Sequence, residues 1–221
     1  MKELSVFDII GPNMIGPSSS HTAGALKIAK VAYQLAPEKL EKVTFVLYGS
    51  FAKTYRGHGT DRALVAGLLG MSEEDERIKD AFIYAKQQGL NYEFIISDET
   101  HIQHPNTVDI AMEDEEGNTM TITGSSVGGG AISIDKVNGV EVFFNGEYHT
   151  LIISHQDQPG VAGHITKALG DCHINIAYMR IYREHKGKMA STIIEADEPI
   201  CKEVLAEIKK HAAVSYAQII S

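Results

Sequence analysis

Ile153-Ser154-His155-Gln156-Asp157-Gln158-Pro159-Gly160-Val161 decides the fold of the last third of this chain. Thr150–Ser154 reads as a strand, and Val161, Ile165 and Leu169 fall on one face of a helix. Between them, Asp157 can cap the coming helix, and Pro159 has the φ its first turn requires. Gly160 lets a ligand come close to the backbone, where free N–H groups and the helix dipole favour a carboxylate.

Working outward, the pattern continues as strand (Ile174–Arg183), turn at Lys186-Gly187-Lys188, strand (Met189–Ala196), helix (Ile200–Ala212) and strand (Ser215–Ile220). The order is βαββαβ, which implies two helices on one face of a four-stranded antiparallel sheet. Asn175-Ile176 opens the second strand, and in such a sheet Asn175 is expected to face the Asp157–Gly160 loop. His155, Asp157, Pro159, Gly160 and Asn175 are therefore the candidate effector-binding residues. Asn145-Gly146-Glu147 is the expected domain boundary, dividing the chain into 1–147 and 148–221.

The first domain reads as mixed α/β. A helix is expected from Ser19 to Ala36, with Ala25, Ile28, Ala29, Ala32 and Leu35 on one face and Pro37 as its stop, then a buried strand Val43–Tyr48 ending in Gly49-Ser50. A second helix covers Asp61–Leu69, and a third starts at Ser72, whose hydroxyl can cap a Glu-rich first turn, and ends at Gly89. From Asn91 to Asn145 short β-branched runs predict strands at Tyr92–Ser97, Thr107–Glu113, Thr119–Ser125, Ala131–Lys136 and Glu141–Asn145. Asn138-Gly139 suits a hairpin turn, and Gly128-Gly129-Gly130 permits backbone shapes closed to other residues.

Chemistry concentrates in three short stretches. Gly16-Pro17-Ser18-Ser19-Ser20-His21-Thr22-Ala23-Gly24 sets four hydroxyls and an imidazole at a helix start, where unsatisfied N–H groups suit a carboxylate. A plain cap needs one hydroxyl; this cluster has more. Gly57-His58-Gly59-Thr60-Asp61 places a histidine between glycines ahead of a second helix, with Asp61 available to cap that helix, orient His58, or both. His101 and His104-Pro105-Asn106 form a third stretch; two histidines at this spacing are weak evidence for a metal, and a Pro-Asn turn explains them as well. His21, His58 and Asp61 are thus candidate catalytic groups, and Ser18, Ser19, Ser20, Thr22, His104 and Asn106 candidate substrate ligands.

Composition narrows the partners. The chain of 221 residues has a formal net charge of -9 and no Lys/Arg cluster, which argues against nucleic acid. Its first residues lack the basic and apolar regions of a leader, and no apolar run reaches spanning length, so a cytoplasmic protein is expected. Cys172 and Cys201 lie far apart in sequence without a CxxC spacing and read as small buried hydrophobes. Two cysteines cannot hold an iron–sulfur cluster by themselves.

Strand, Asp157-x-x-Pro159-Gly160, helix, then Asn175-Ile176 resembles an ACT domain over about residues 148 to 221, a family whose members pair side by side and bind amino acids at the shared edge. The set Gly16–Thr22, Gly57–Asp61, His104–Asn106 and the glycine run, followed by such a domain, resembles the β subunit of iron–sulfur-dependent L-serine dehydratases (L-serine ammonia-lyases) over essentially the whole chain. The first domain is more distantly similar to the allosteric substrate-binding domain of some phosphoglycerate dehydrogenases, which leaves its pocket either catalytic or regulatory. The resemblance implies an α+β chain whose second domain is ferredoxin-like. It also implies a separate α subunit holding a 4Fe–4S cluster, and conversion of L-serine to pyruvate and ammonia. The hydroxyls would hold the carboxylate, and either His21 or His58 would take the Cα proton. No metal ligand is expected in this chain. An amino-acid effector at the ACT domain and ACT-mediated self-association are implied as well. Two other classes stay open: a non-catalytic amino-acid-binding regulator, and a histidine-dependent hydrolase active alone on a phosphorylated substrate.

Overall fold

The computed structural model describes residues 14–99, 103–183 and 185–220. The N-terminal segment 1–13, read above for targeting signals, and His101 lie outside them. By internal contacts the chain divides into two compact units. The first is Met1–Gly139 with Phe143–Asn145, and the second is Val140–Val142 with Gly146–Ser221.

In the first unit a π-helical turn (Ser19–Gly24) leads into α1 (Ala25–Leu35), followed by β1 (Leu40–Leu47), α2 (Gly49–Thr54), α3 (Thr60–Leu68), a 3₁₀ turn (Glu76–Asp80), α4 (Ala81–Gln87) and β2 (Asn91–Ile96). Strands β3 (Thr107–Asp114), β4 (Thr119–Gly128), β5 (Ala131–Val137) and β6 (Val140–Phe144) complete a sheet of order β2-β1-β3-β4-β5-β6. β1 and β2 run parallel, while β1–β3, β3–β4 and β4–β5 are antiparallel. Alternation explains which face is covered. Val43, Phe45 and Leu47 of β1 and Val108, Ile110 and Met112 of β3 are buried, while their odd-even neighbours Thr44, Asp109 and Ala111 are less so.

Helix α1 supplies Ala25, Ile28, Ala29, Ala32 and Leu35 to that core, at the helical spacing read from the sequence, and Leu26 besides. Two glycines set how closely it packs. A methyl built on Gly124 of β4 would stand 2.5 Å from Ile28 Cγ2, and one on Gly67 of α3 2.5 Å from the Leu26 carbonyl. α1 therefore lies tight on both β4 and α3.

Three expectations need correction. Cys172 is exposed and Cys201 half-buried, so they are not the buried small residues expected. Ser72 caps nothing; its carbonyl accepts from Asp75 N–H, and Asp75 caps the 3₁₀ turn by accepting from Arg77 N–H at 2.9 Å. A carboxylate that also pairs with the Arg77 guanidinium at 2.6 Å is the better acceptor, so the helix α4 begins nine residues later than Ser72 suggested. The six-residue α2 was not anticipated, because one and a half turns carry no readable periodicity.

The second unit is β7 (His149–Gln156), α5 (Val161–Asp171), β8 (Ile176–Arg183), β9 (Met189–Ala196), α6 (Lys202–Ile208) and β10 (Val214–Ile220), in sheet order β10-β7-β9-β8, all pairs antiparallel. Leu151, Ile153, Ile194, Ala196 and Ala217 of the sheet meet Val161, Ile165, Leu169, Val204 and Ile208 of the two helices in one core. This is the expected ferredoxin-like arrangement. Among the described residues no helix is long and apolar enough to cross a membrane.

Replacing Gly67 by Ala should destabilise the chain by about 1–3 kcal/mol, since the methyl meets backbone that cannot yield. Urea unfolding of the variant checks this; an unchanged midpoint would disprove the close α1–α3 approach.

Candidate active site

The site is assembled by the π-helical turn. Ser18 precedes it in extended backbone, and its Oγ accepts from His21 N–H at 3.1 Å. The wide turn presses its last residue, Gly24, against β4, where any side chain would overlap Ser126. π-Turns are rare and concentrate at functional sites, because the extra residue re-aims side chains. Here the re-aimed residue is His21. Its Nε2 lies 3.0 Å from Ser50 Oγ, its Nδ1 3.4 Å from Ser18 Oγ, and its ring meets Phe51 edge-on with centroids 5.4 Å apart. The ring of His58 stands 4.7 Å away at an interplanar angle of 55°. Two histidines 37 positions apart in the chain are thus neighbours.

His58 is positioned by backbone. Its N–H donates to the Thr54 carbonyl at 3.0 Å and its carbonyl accepts from Thr22 Oγ1 at 3.1 Å. Gly59, at φ +68°, then turns the chain into α3. Thr22 is accordingly buried, and its hydroxyl proton goes to the carbonyl that holds the His58 loop. Ser18 holds the turn and His21; Ser19 and Ser20 sit half-buried in the turn itself.

Asp61 also departs from expectation. Gly59 is the residue that caps α3, without a side chain, and the Asp61 carboxylate accepts from Arg62 N–H at 2.8 Å. His58 Nδ1 has no hydrogen-bond partner, so Asp61 does not orient it through that nitrogen. Its nearest charges are those of Arg62 and Arg56, and burial outweighs them, raising its carboxyl above the ordinary value.

The described part of the third stretch, His104–Asn106, is a turn, and hydrogen bonds tie it to Ser50 and Ser126. His104 Nδ1 accepts from Asn106 N–H at 3.2 Å and its carbonyl accepts from Thr107 Oγ1 at 2.6 Å. The Pro105 carbonyl takes Ser50 N–H at 2.6 Å, and the Asn106 carbonyl takes Ser126 N–H at 2.9 Å. Contacts therefore run unbroken from His58 to His21, Ser50, the Pro105-Asn106 turn, Ser126 and back to Gly24. Ser50 and Ser126 were missed in the sequence. Gly49-Ser50 right after a strand was the available signal for the first; nothing local marks Ser126.

Four buried side-chain atoms among the described residues have no hydrogen-bond partner: His58 Nδ1, Thr60 Oγ1, Asn106 Oδ1 and Ser126 Oγ. Each such atom costs about 1–3 kcal/mol in an ordinary core. Their gathering in and beside the contact ring marks a place where a polar ligand would complete the bonding. An open cleft of about 670 Å³ adjoins it, sharing Gly49 and Pro105 and lined also by Lys53, Ile96 and Glu99. Neither His21 nor His58 lines that cleft. Burial, and then the neighbouring His58, hold the His21 imidazole below the usual histidine range, so it is neutral at pH 7.

In the second unit the candidate effector residues fall out differently. His155 is 3% exposed, with Nε2 2.8 Å from Thr192 Oγ1 and Nδ1 2.9 Å from the Gln156 carbonyl, so both nitrogens serve the core. Asp157 caps nothing. Its Oδ2 accepts from Gly187 N–H at 2.9 Å and from Arg183 Nη1 at 2.8 Å, pinning the β8–β9 hairpin, and these bonds hold its carboxyl below the usual range. Gly160, at φ +97°, caps α5 without a side chain, and Pro159 stands before that cap instead of in the first turn. Asn175 does not face this loop. Register sets Gln156 against Met189 but Ile176 against Ala196, so Asn175 stands at the other end of the sheet, roughly 24 Å away along the strand. There it donates to Asp197 and Glu198.

A mixed-sheet unit carrying paired, half-buried imidazoles shares one chain with a ferredoxin-like unit. Residues 5–93 match the family model for the serine dehydratase beta chain, and residues 149–213 that for the ACT domain. The L-serine dehydratase beta chain of Peptoniphilus asaccharolyticus is 39% identical over 222 residues, covering 99% of this chain and 100% of that protein. The probable L-serine dehydratase beta chain of Bacillus subtilis (strain 168) is 43% identical over 210 residues, covering 95% and 94%. D-3-phosphoglycerate dehydrogenase of the same organism is 28% identical over 184 residues, covering 82% of this chain and 34% of the enzyme. This chain belongs to the serine dehydratase β-chain family and ends in an ACT domain.

Two measurements test the electrostatics. A carboxyl raised by burial favours folding most below its unfolded pKa and loses that contribution as pH rises through the folded value. Asp61→Asn should therefore raise Tm at pH 7 by about 1–4 °C, with the difference vanishing near pH 4. Asp157→Ala should speed amide exchange at Gly187 while leaving β7 and β9 protected; unchanged exchange at Gly187 would show that the hairpin is not pinned there.

Proposed function

We propose that this chain is the β subunit of a two-subunit L-serine dehydratase, holding L-serine and moving its protons opposite an α subunit that carries a 4Fe–4S cluster. The observation that carries the reading is the His21–His58 pair, in which one buried imidazole nitrogen has no partner. The chain has two cysteines, and among its described residues no three His, Cys, Asp or Glu side chains converge. The thiolates of a cluster would therefore come from the partner, which would supply Lewis acidity toward the substrate's β-hydroxyl.

The residues of this chain do the rest. His58 Nδ1, dry and unpaired, takes the Cα proton of L-serine. The electron pair left at Cα forms the Cα–Cβ double bond as the β-hydroxyl departs and takes up the proton that His58 removed, giving aminoacrylate and water and returning His58 to its neutral form. Tautomerisation and addition of water to the imine then release pyruvate and ammonia. Neutral His21 stands beside His58, so a single positive charge develops in the pair and not two. Ser19, Ser20 and Asn106 hold the substrate's carboxylate and ammonium, with Asn106 Oδ1 the free acceptor for an N–H.

The same reading gives the ACT domain an amino-acid effector at the open N–H groups of α5 behind Gly160. It also gives the domain self-association through the edge strand β8, where Tyr178 and Ile181 are exposed. A cytoplasmic location belongs to it as well.

Anaerobic co-purification with the α subunit followed by a pyruvate assay tests the function. His58→Ala should lower kcat about 10²–10⁴-fold and His21→Ala by at least the lower figure, with the complex intact. Full turnover by both variants would remove the pair from the chemistry. An assembled, cluster-loaded complex that forms no pyruvate from L-serine would favour the amino-acid-binding regulator instead.

A further inference from the structure

Ser50 belongs to none of the motifs read from the sequence, yet it touches His21. It is the second residue of α2, where its N–H donates to the Pro105 carbonyl at 2.6 Å and its own carbonyl accepts from Thr54 Oγ1 at 2.8 Å. With the backbone tied at both ends, its Oγ is fixed 3.0 Å from His21 Nε2. On the other side of the ring Nδ1 faces Ser18 Oγ, which also accepts from His21 N–H. The imidazole is held between two hydroxyls.

A serine next to a histidine where a strand turns into a helix could act as a nucleophile. The neighbouring N–H groups oppose that role. Those of Ser50 and Phe51, which would have to stabilise an oxyanion, both point at the Pro105 carbonyl, at 2.6 and 3.4 Å. Ser50 is placed to hold, not to attack.

We propose that Ser50 is a positioning residue for His21: its hydroxyl accepts from Nε2–H, which favours that tautomer and holds the ring's tilt toward His58, and its peptide N–H couples that arrangement to the His104–Asn106 turn. A hydroxyl can donate or accept, so the direction is set at the other nitrogen: Ser18 Oγ already accepts from His21 N–H, which leaves its O–H to donate to Nδ1 and puts the ring proton on Nε2, facing Ser50 Oγ. The inference rests on the site being catalytic, but its physical core does not.

The test uses the full ¹⁵N-labelled chain, with two-bond ¹H–¹⁵N spectra of His21 in the parent, Ser50→Ala and Ser50→Thr, and turnover of each with the α subunit. One tautomer is expected in the parent and in Ser50→Thr, and a mixture in Ser50→Ala. Turnover of Ser50→Ala should fall about 10- to 100-fold in kcat, with KM changed less than about twofold, and the threonine should restore it. A single unchanged tautomer in Ser50→Ala, undiminished kcat, or failure of threonine to rescue would each overturn the proposal. If the parent complex makes no pyruvate, the catalytic reading fails by itself, and the spectra still decide whether Ser50 holds His21.

Discussion

Everything in the first unit depends on how closely the Ser19–Gly24 turn sits on β4. Gly24 has no side chain, and the space a methyl would need is taken by Ser126. That contact fixes the height of the turn above the sheet. It thereby sets where His21 points, which hydroxyl it meets, and how near it comes to His58. The π-helical turn is the backbone's answer to the same constraint, since a regular helix start would rotate His21 by the angle of one residue.

Around that contact the protein has arranged polar groups that bond to the loops more than to one another. Thr22 holds the carbonyl of His58, Ser50 holds the carbonyl of Pro105 and the ring of His21, and Asn106 and Ser126 hold each other through their backbones. What remains unbonded is specific: a ring nitrogen, an amide oxygen and two hydroxyls. Such a set offers both donors and acceptors in a dry setting, as recognition of a small zwitterion requires. The lowered basicity of His21 follows from the same dryness, because burial and a neighbouring imidazole both penalise a charge there.

The second unit shows how a recognisable loop can be used structurally. Asp157 looked like a cap, yet its carboxylate has stronger donors across the hairpin in Gly187 N–H and Arg183. A charged guanidinium competes successfully with the helix N–H groups, so capping falls to a glycine and the N-terminus of α5 stays open. His155 is likewise a core histidine with both nitrogens engaged.

Periodicity and turn residues alone determined the βαββαβ order, the strands of the first unit and the α1 core face, because apolar spacing at 3.6 or 2 is written along the chain. The Ser18–Gly24 and Gly57–Asp61 stretches also stood out locally, as glycines and hydroxyls crowded at helix starts. Only tertiary structure could decide which groups meet. Nothing in sequence ties Ser50 to His21, gives the Asp61 carboxylate to Arg62 N–H, or puts Asn175 at the far end of the sheet from Gly160. These are matters of sheet register and of competition between donors from distant segments, and a linear pattern carries neither.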